Sequence, residues 1–216
     1  MKSKLHEFSC DAITITFDKT RCLHAEECVR GARQVFDPAR RRWIDPTGAD
    51  PHTIVTVIER CPTGALHYRR HDGGVAEAPD RVNRVAVVVD GPLYVRGDVR
   101  LIREDGEEIL RDSRVALCRC GHSSRKPLCD GAHERIGFRS SVVLEAAADP
   151  EAGDEKPPLT IRVMMGGPLR IEGPVEITAG GETRVQKNRV ALCRCGGSSR
   201  KPFCDGSHGR MGFTAE

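Results

Sequence analysis

The sequence predicts an α+β fold, in which one small mixed unit precedes two β-rich units of similar sequence. Three observations support this prediction. Residues 11–69 alternate strand and helix patterns around three cysteines, a stretch from Cys118 to His133 recurs 75 positions later, and short alternating strands precede each copy. One small sheet cannot bury its own apolar face, so the two copies are expected to pair within the chain.

The composition favours several small units over one large core. Hydrophobic residues make up 38% of the 216 residues, aromatic residues 4% and charged residues 30%, so metal sites are expected to stabilise the units. The net charge of +3 is too small to indicate nucleic-acid binding. With no signal peptide and no apolar run of membrane length, we expect a cytoplasmic protein, whose reduced cysteines form metal sites rather than disulfides.

Five elements are predicted in the N-terminal unit. Alternating apolar and polar residues over 11–17 indicate a strand, and residues 22–31 form a loop that runs into a short helix. A turn-rich hairpin follows over 36–46. Asp50 is typical of a helix N-cap followed by proline, and residues 66–69 form a closing strand. This order, with cysteines at the helix edges, predicts a compact ferredoxin-like domain.

The N-terminal cysteines have the spacing of an iron–sulfur site. A bacterial ferredoxin has a C-x2-C-x2-C run and a separate Cys-Pro; here Cys22 and Cys28 are the outer cysteines of the run, Ala25 replaces the middle one, and Cys61 precedes proline. Three cysteines in this frame predict one cluster, either 3Fe–4S or 4Fe–4S with a non-cysteine fourth ligand. His24 is the candidate for that ligand. The alternative is three unrelated cysteines in a small α/β domain.

Residues 9–70 resemble the divergent single-cluster ferredoxin domains of the YjdI-like group, which often precede a second type of iron–sulfur module. The residues that carry the resemblance are Cys22, His24, Ala25, Cys28–Gly31, Val35–Asp37, Trp43, Ile44 and Cys61–Leu66. The resemblance implies one iron–sulfur cluster in this domain.

Three domains are expected along the chain. The ferredoxin-like domain occupies residues 1–75, and the two copies of the repeat occupy 80–145 and 158–216. Within each copy, short alternating strands joined by Asp-Gly or Gly-Gly turns indicate β-hairpins. A segment rich in alanine, acidic residues and proline, 146–158, is predicted to be a flexible linker between the copies.

Each copy supplies three thiols and one imidazole in the frame C-x-C-x8-C-x3-H. The two sets are Cys118, Cys120, Cys129 and His133, and Cys193, Cys195, Cys204 and His208. Two cysteines one residue apart on an extended segment point to the same side, and residues four apart share a helix face. A helix that starts near Asp130 or Asp205 would direct N–H groups toward an anionic cluster. Zinc takes the same ligand types and is the alternative.

Both loops resemble the CDGSH iron–sulfur family, the group that includes mitoNEET. They match its pattern C-x-C-x2-S-x3-P-x-C-D-G-S/A-H at every fixed position. The resemblance implies a 2Fe–2S cluster in each copy, held by the two ligand sets above, and a NEET-type β-cap fold in which two units pair. Because this chain carries both halves, we expect an intramolecular pseudodimer, and zinc is disfavoured.

Three cluster sites in one chain predict an electron-transfer protein that passes single electrons between its clusters. No triad, phosphate loop or substrate motif points to an enzyme. Two alternatives stay open: iron–sulfur cluster storage, transfer or redox sensing, in which the lone histidine ligand is the weak point, and a redox subunit of a larger oxidoreductase complex. The expected partners are redox proteins or apo iron–sulfur acceptors, with no nucleic acid or membrane. The chain is expected to be monomeric through its internal pairing.

Basic side chains outnumber acidic ones around both loops. They are Arg119, Arg125, Lys126, Arg135 and Arg139 in the first copy, and Arg194, Arg200, Lys201 and Arg210 in the second. Two interpretations stay open. They could form a docking surface that attracts an acidic redox partner through long-range charge, or they could compensate the negative charge of the clusters.

Overall fold

The computed structural model describes residues 5–142, 144, 158–180 and 183–215. Over these residues the chain is mostly β, and its helices are short, from four to eight residues long. The chain divides into two compact units, Met1–Ala78 and Pro79–Glu216. The helical share is smaller than the predicted α+β class implies, because the helices at the repeated loops are single turns.

The first unit is a three-stranded antiparallel sheet with two short helices. Its strands are in the order β1-β2-β3. The elements in chain order are β1 (Leu5–Ser9), β2 (Ile13–Asp18), α1 (Glu27–Gly31), α2 (Pro51–Ile58) and β3 (Leu66–Arg70). The predicted first strand is thus the central strand of the sheet, and β1 is an edge strand that the sequence analysis did not predict.

Local sequence explains how α2 begins and packs. The Asp50 carboxylate accepts a hydrogen bond from the Thr53 N–H at 3.0 Å, and proline occupies the first helical position, as the sequence predicts. Ile54 and Ile58 lie on one face of the helix and are fully buried in the core of the unit. The end of α2 therefore lies at this core, and Cys61 follows it.

The second unit contains both copies of the repeat. Its elements in chain order are β4 (Arg84–Val87), β5 (Leu93–Arg103), β6 (Glu108–Leu117), α3 (Ala132–Arg135), β7 (Leu159–Val163), β8 (Leu169–Ala179), β9 (Thr183–Leu192) and α4 (Ser207–Arg210). The first copy contributes β4, β5 and β6, and the second copy contributes β7, β8 and β9. In each copy the last strand runs directly into the repeated loop.

The two copies share one sheet. Within each copy the middle strand pairs antiparallel with the strands before and after it. Between the copies β4 pairs parallel with β8, and β5 pairs parallel with β7. These four strands close into a barrel-like ring, with β6 and β9 attached outside it. The copies are therefore joined by main-chain pairing as well as by packed side chains.

One hydrophobic core lies inside this sheet. Val85 and Leu101 of the first copy and Ile161 and Ile177 of the second are all fully buried in the same cluster. Burial of one such side chain contributes roughly 1.5–3 kcal/mol relative to exposure. Because both copies contribute to the same core, neither has a complete apolar interior of its own.

Two sequence predictions fall largely outside the described residues. The linker expected over 146–158 is described only at Pro158, and the Gly-Gly turn of the second copy only at Gly180. Among the residues that the structure does describe, no helix is long and apolar enough to cross a membrane.

Candidate metal centres

Each repeated loop folds back beside the strand that leads into it. In the first copy, the Cys118 N–H donates to the Pro127 carbonyl at 2.8 Å, and the Cys129 N–H donates to the Ala116 carbonyl at 2.9 Å. These bonds hold the third cysteine next to the first. The second copy has the equivalent bonds, both at 2.8 Å, from Cys193 to Pro202 and from Cys204 to Ala191.

The predicted donor atoms of each copy lie in two close pairs. Cys118 Sγ lies 3.8 Å from Cys120 Sγ, and Cys129 Sγ lies 3.4 Å from His133 Nδ1. The equivalent distances in the second copy are 3.7 Å and 3.4 Å, in the pairs Cys193–Cys195 and Cys204–His208. The structure therefore brings the eight predicted donors together two by two, with Nδ1 as the histidine nitrogen that faces the sulfur.

This paired arrangement allows the fit of a metal group to be tested. Among the described residues, no group of three or more His, Cys, Asp or Glu side chains is arranged around a single ion. A structural zinc ion needs four donors around one point. Each iron of a 2Fe–2S cluster takes two protein ligands, and histidine replaces cysteine in some such sites. Paired sulfur and nitrogen donors thus fit a two-iron cluster better than a single zinc ion.

The electrostatics of the thiols also fit a cationic occupant. Burial raises the pKa of the Cys129 thiol to about 11. Cys118 and Cys120 share a hydrogen bond that lowers the pKa of Cys118 to about 6 and raises that of Cys120. Three buried thiolates side by side are costly unless positive charge neutralises them. Iron ions would supply that charge.

An ionised aspartate in each ligand loop accepts several hydrogen bonds from the same loop. Asp130 accepts hydrogen bonds from the Ser124 N–H (2.9 Å), the Ser124 hydroxyl (2.7 Å) and the Ala132 N–H (2.9 Å). Burial alone would raise the pKa of Asp130, but these bonds outweigh it and lower the pKa to about 2. The charge is therefore present at neutral pH. The equivalent contacts in the second copy are those of Asp205 with Ser199 and Ser207.

The helices of the loops differ from the predicted ones. The sequence suggests that cysteine and histidine share a helix face, but α3 begins at Ala132, so Cys129 lies outside it. Gly131, with φ of 80°, makes a left-handed turn between them, and this turn brings sulfur and imidazole together. A helix of one turn has little dipole, so the expected effect of its N-terminus is small. The second copy has the same geometry around Gly206.

The three N-terminal cysteines gather at the core of the first unit. Cys61 belongs to that core, and Cys22 and Cys28 pack against it. Burial, and after it the charge of the neighbouring Cys61, raises the pKa of Cys28 to about 11. Burial also raises the pKa of Cys22, which the His24 N–H partly offsets by a hydrogen bond. His24 itself is exposed, with φ of 54°. His24 thus contacts Cys22 through its backbone N–H.

Comparison with known proteins agrees with both kinds of site. Residues 9–71 match the family described as a divergent 4Fe-4S mono-cluster, and residues 90–134 and 166–209 match the iron-binding zinc finger of CDGSH type. Two proteins named "Uncharacterized protein YjdI", from Escherichia coli strain K12 and Escherichia coli O157:H7, are each 40% identical over 62 residues, which cover 29% of this chain and 82% of the relative. The chain belongs to the YjdI-like mono-cluster family and carries two CDGSH domains. All the predicted ligands lie within the matched segments.

Two arginines of the CDGSH domains are buried. The sequence places Arg119 and Arg194 among the basic residues of a possible docking surface, but they are 1% and 0% exposed and cannot belong to it. Each is the middle residue of a Cys-x-Cys segment. Neighbouring side chains of an extended segment point to opposite sides, so a residue between two ligands faces away from them, here into the protein. This alternation was the observation that could have revealed their burial.

The two CDGSH loops meet at their first ligand pairs. The backbones of Cys120 and Cys195 form an antiparallel bridge. A Cβ atom on Gly121 would lie 2.4 Å from the Cys195 carbonyl oxygen, and one on Gly196 would lie 2.6 Å from the Cys120 carbonyl oxygen. Only glycine fits this approach, so the bridge explains the glycine that follows each Cys-x-Cys segment.

Proposed function

We propose that the chain is an iron–sulfur protein that holds three clusters and transfers single electrons. Each CDGSH domain would bind one 2Fe–2S cluster, and the YjdI-like domain one 4Fe–4S cluster. The ligands would be Cys118, Cys120, Cys129 and His133; Cys193, Cys195, Cys204 and His208; and Cys22, Cys28 and Cys61, with His24 as the candidate fourth ligand. The observation that carries the proposal is the arrangement of six cysteine sulfurs and two histidine nitrogens in four pairs, two pairs in each CDGSH domain.

When bound, such clusters supply one-electron redox chemistry at potentials that the ligands and their surroundings determine. The chain provides preorganised sites for them that are shielded from solvent. Cys118, Cys120, Cys193 and Cys195 are buried. Burial lowers the pKa of the His133 imidazole, which favours the neutral ring that a metal ion requires. Its Nδ1 faces Cys129, while its Nε2 lies 3.7 Å from a Glu134 carboxylate oxygen, so Nε2 can hold the proton.

The pairing of the two CDGSH domains within one chain supports a monomer that needs no second protein chain. The parallel pairs β4–β8 and β5–β7 and the shared core join the two CDGSH domains as a pseudodimer within one chain. Exposed basic side chains remain near the loops, among them Arg135, Arg139, Arg200 and Arg210. Such a surface fits an acidic redox protein as the partner.

Anaerobic purification with iron and sulfide analysis tests this function. We expect about eight irons per chain, two from each 2Fe–2S cluster and four from the 4Fe–4S cluster. Reduction with dithionite should give EPR signals of both cluster types, and a one-electron acceptor such as cytochrome c should reoxidise the protein with no loss of iron. A colourless protein that contains zinc would refute cluster binding, and iron loss during each redox cycle would refute electron transfer.

Cluster delivery is the second candidate, and one difference between the copies favours it. Cys129 is buried, whereas its equivalent Cys204 is partly exposed. A partly exposed ligand is accessible to the thiol of an acceptor protein. Incubation with an apo 2Fe–2S ferredoxin distinguishes the two functions: delivery predicts that the acceptor gains iron and sulfide together at the expense of this chain, and electron transfer predicts that it does not.

A further inference from the structure

The charge of Arg119 is buried, and the three groups that accept its hydrogen bonds are neutral. Its Nε donates to the Gly91 carbonyl at 3.0 Å, its Nη1 to the Ser140 hydroxyl at 2.8 Å and its Nη2 to the Val88 carbonyl at 2.5 Å. Its Cζ lies 5.3 Å from the centre of the Phe138 ring. These groups orient the guanidinium without neutralising it. The Asp90 carboxylate, which accepts from the Ser140 N–H at 2.6 Å, also attracts the guanidinium.

Arg194 repeats this arrangement in the second copy. It donates to the carbonyls of Gly167 (3.1 Å), Met164 (2.5 Å) and Ala215 (2.9 Å), and its Cζ lies 5.3 Å from the centre of the Phe213 ring. A buried guanidinium held by three or more groups has one fixed position. Both arginines are therefore fixed point charges rather than mobile surface cations.

The bridge between the loops brings each arginine beside the other copy. Arg119 and Arg194 directly precede Cys120 and Cys195, the two residues of the bridge. Burial lowers the pKa of Arg119, and the Cys193 thiolate of the second copy is the largest charge that opposes this. Burial likewise lowers the pKa of Arg194, and the largest opposing charge is that of Cys118 in the first copy. Each cation thus interacts with a ligand of the opposite site as well as with the cysteine that follows it in its own site.

We propose that Arg119 and Arg194 are crossed positioning residues, each of which raises the reduction potential of the cluster in the other CDGSH domain. The inference rests on the proposed function, in which each domain holds a 2Fe–2S cluster. One-electron reduction adds one negative charge to a cluster, and a fixed buried cation nearby stabilises the reduced form more than the oxidised form. The charge of one copy therefore tunes the site of the other.

The test measures the midpoint reduction potential of the second CDGSH site after a substitution in the first copy. In full-length protein with His133→Cys, the first site has four thiolates and an EPR spectrum distinct from that of the second site. Arg119→Gln in this background should lower the midpoint potential of the second site in an EPR-monitored dithionite titration. Arg119→Lys, which keeps the charge, should leave the midpoint potential of the second site close to that of the parent protein. Arg111→Gln is the matched control, because it removes the same charge from an exposed side chain that pairs with Asp98.

Three further outcomes are decisive, and a second variant replaces the first if it does not fold. An unchanged potential at the second site, with both clusters present by iron and sulfide analysis, overturns the crossed assignment and leaves the proposed function intact. If Arg119→Lys lowers the potential as much as Arg119→Gln does, the effect comes from a change of structure rather than of charge. That result also overturns the crossed assignment. Absence of 2Fe–2S clusters from the parent protein overturns both proposals. If Arg119→Gln does not fold, Arg194→Gln in a His208→Cys background is measured instead, and it should lower the potential of the first site.

Discussion

Substitution of Gly121 by alanine tests the contact between the two CDGSH loops. At Gly121 φ is 81°, and the added Cβ would lie 2.4 Å from the Cys195 carbonyl oxygen. The left-handed conformation costs alanine about 1–2 kcal/mol. A backbone oxygen cannot rotate away as a flexible side chain can, so the loops must separate, at an overpacking cost of roughly 1–3 kcal/mol. We therefore expect the free energy of unfolding of the second unit to fall by about 2–5 kcal/mol.

Gly106→Ala separates the two causes. Gly106 also has positive φ, 97°, but nothing lies within 4 Å of its added Cβ, so only the conformational cost applies. Urea unfolding of the cluster-loaded chain, followed by circular dichroism under anaerobic conditions, measures both variants. With a slope near 2 kcal/mol per molar urea, Gly121→Ala should lower the midpoint by about 0.5–1.5 M more than Gly106→Ala does.

The reciprocal variant completes the test. Gly196→Ala places its Cβ 2.6 Å from the Cys120 carbonyl oxygen, so it should behave like Gly121→Ala. Equal midpoints for Gly121→Ala and Gly106→Ala would refute the reasoning, because the loops would then not be in contact. A large effect at one loop glycine without the other would also refute it, since the bridge is a single shared contact.

Three other variants test separate features. Asp130→Asn removes the ionised acceptor of the first loop and should speed cluster loss from that site several-fold, measured by visible absorbance. Glu107→Gln, an exposed carboxylate that pairs with Arg103 away from the ligands, is the control. Because the pKa of Asp130 is lowered to about 2, the contribution of its charge is complete above the ordinary carboxyl pKa and fades only as pH falls toward 2, so the ratio of the two rates should be constant from pH 8 to about 5. Cys61→Ser should remove about four irons per chain and leave the EPR signals of both CDGSH sites unchanged. Cys10→Ser is the control and should remove no iron, because the Cys10 thiol donates to the Pro46 carbonyl. Leu101→Ala in the shared core should cost about 2–5 kcal/mol and shift a single unfolding transition of the second unit, and two separate transitions would contradict the shared core.

Local patterns were predictable from the sequence because their causes are local. The alternation that predicts β2 and the Asp50 cap of α2 both depend on neighbours within a few residues. The ligand sets were also predictable, since a repeated motif specifies its own donors. The burial of Arg119 was not predicted, because arginine is usually found at the surface and its burial depends on acceptors such as the Val88 carbonyl, about thirty positions away in the chain.

Long-range pairing was the part that sequence patterns could not supply. The repeat predicts two equal units that pair, but it does not say that β4 pairs with β8 and β5 with β7, because alternation only tells which face of a strand is apolar. The turn at Gly131 was missed for a related reason. The four-residue spacing of Cys129 and His133 is compatible both with a helix face and with a left-handed turn. The hydrogen bonds that Asp130 accepts favour the turn.

The two CDGSH sites share a ligand frame but not their surroundings. In the first copy the His122 Nδ1 lies 2.8 Å from the Cys120 carbonyl oxygen. In the second copy glycine replaces this histidine, and Met211 fills the space, since a Cβ on Gly197 would lie 1.8 Å from its sulfur. Hydrogen bonding and exposure around a cluster determine its potential, so two such sites should not have equal potentials. A repeat within one chain can differ at such positions, which two identical chains cannot. If the chain transfers electrons as proposed, this difference would give a single electron a preferred site.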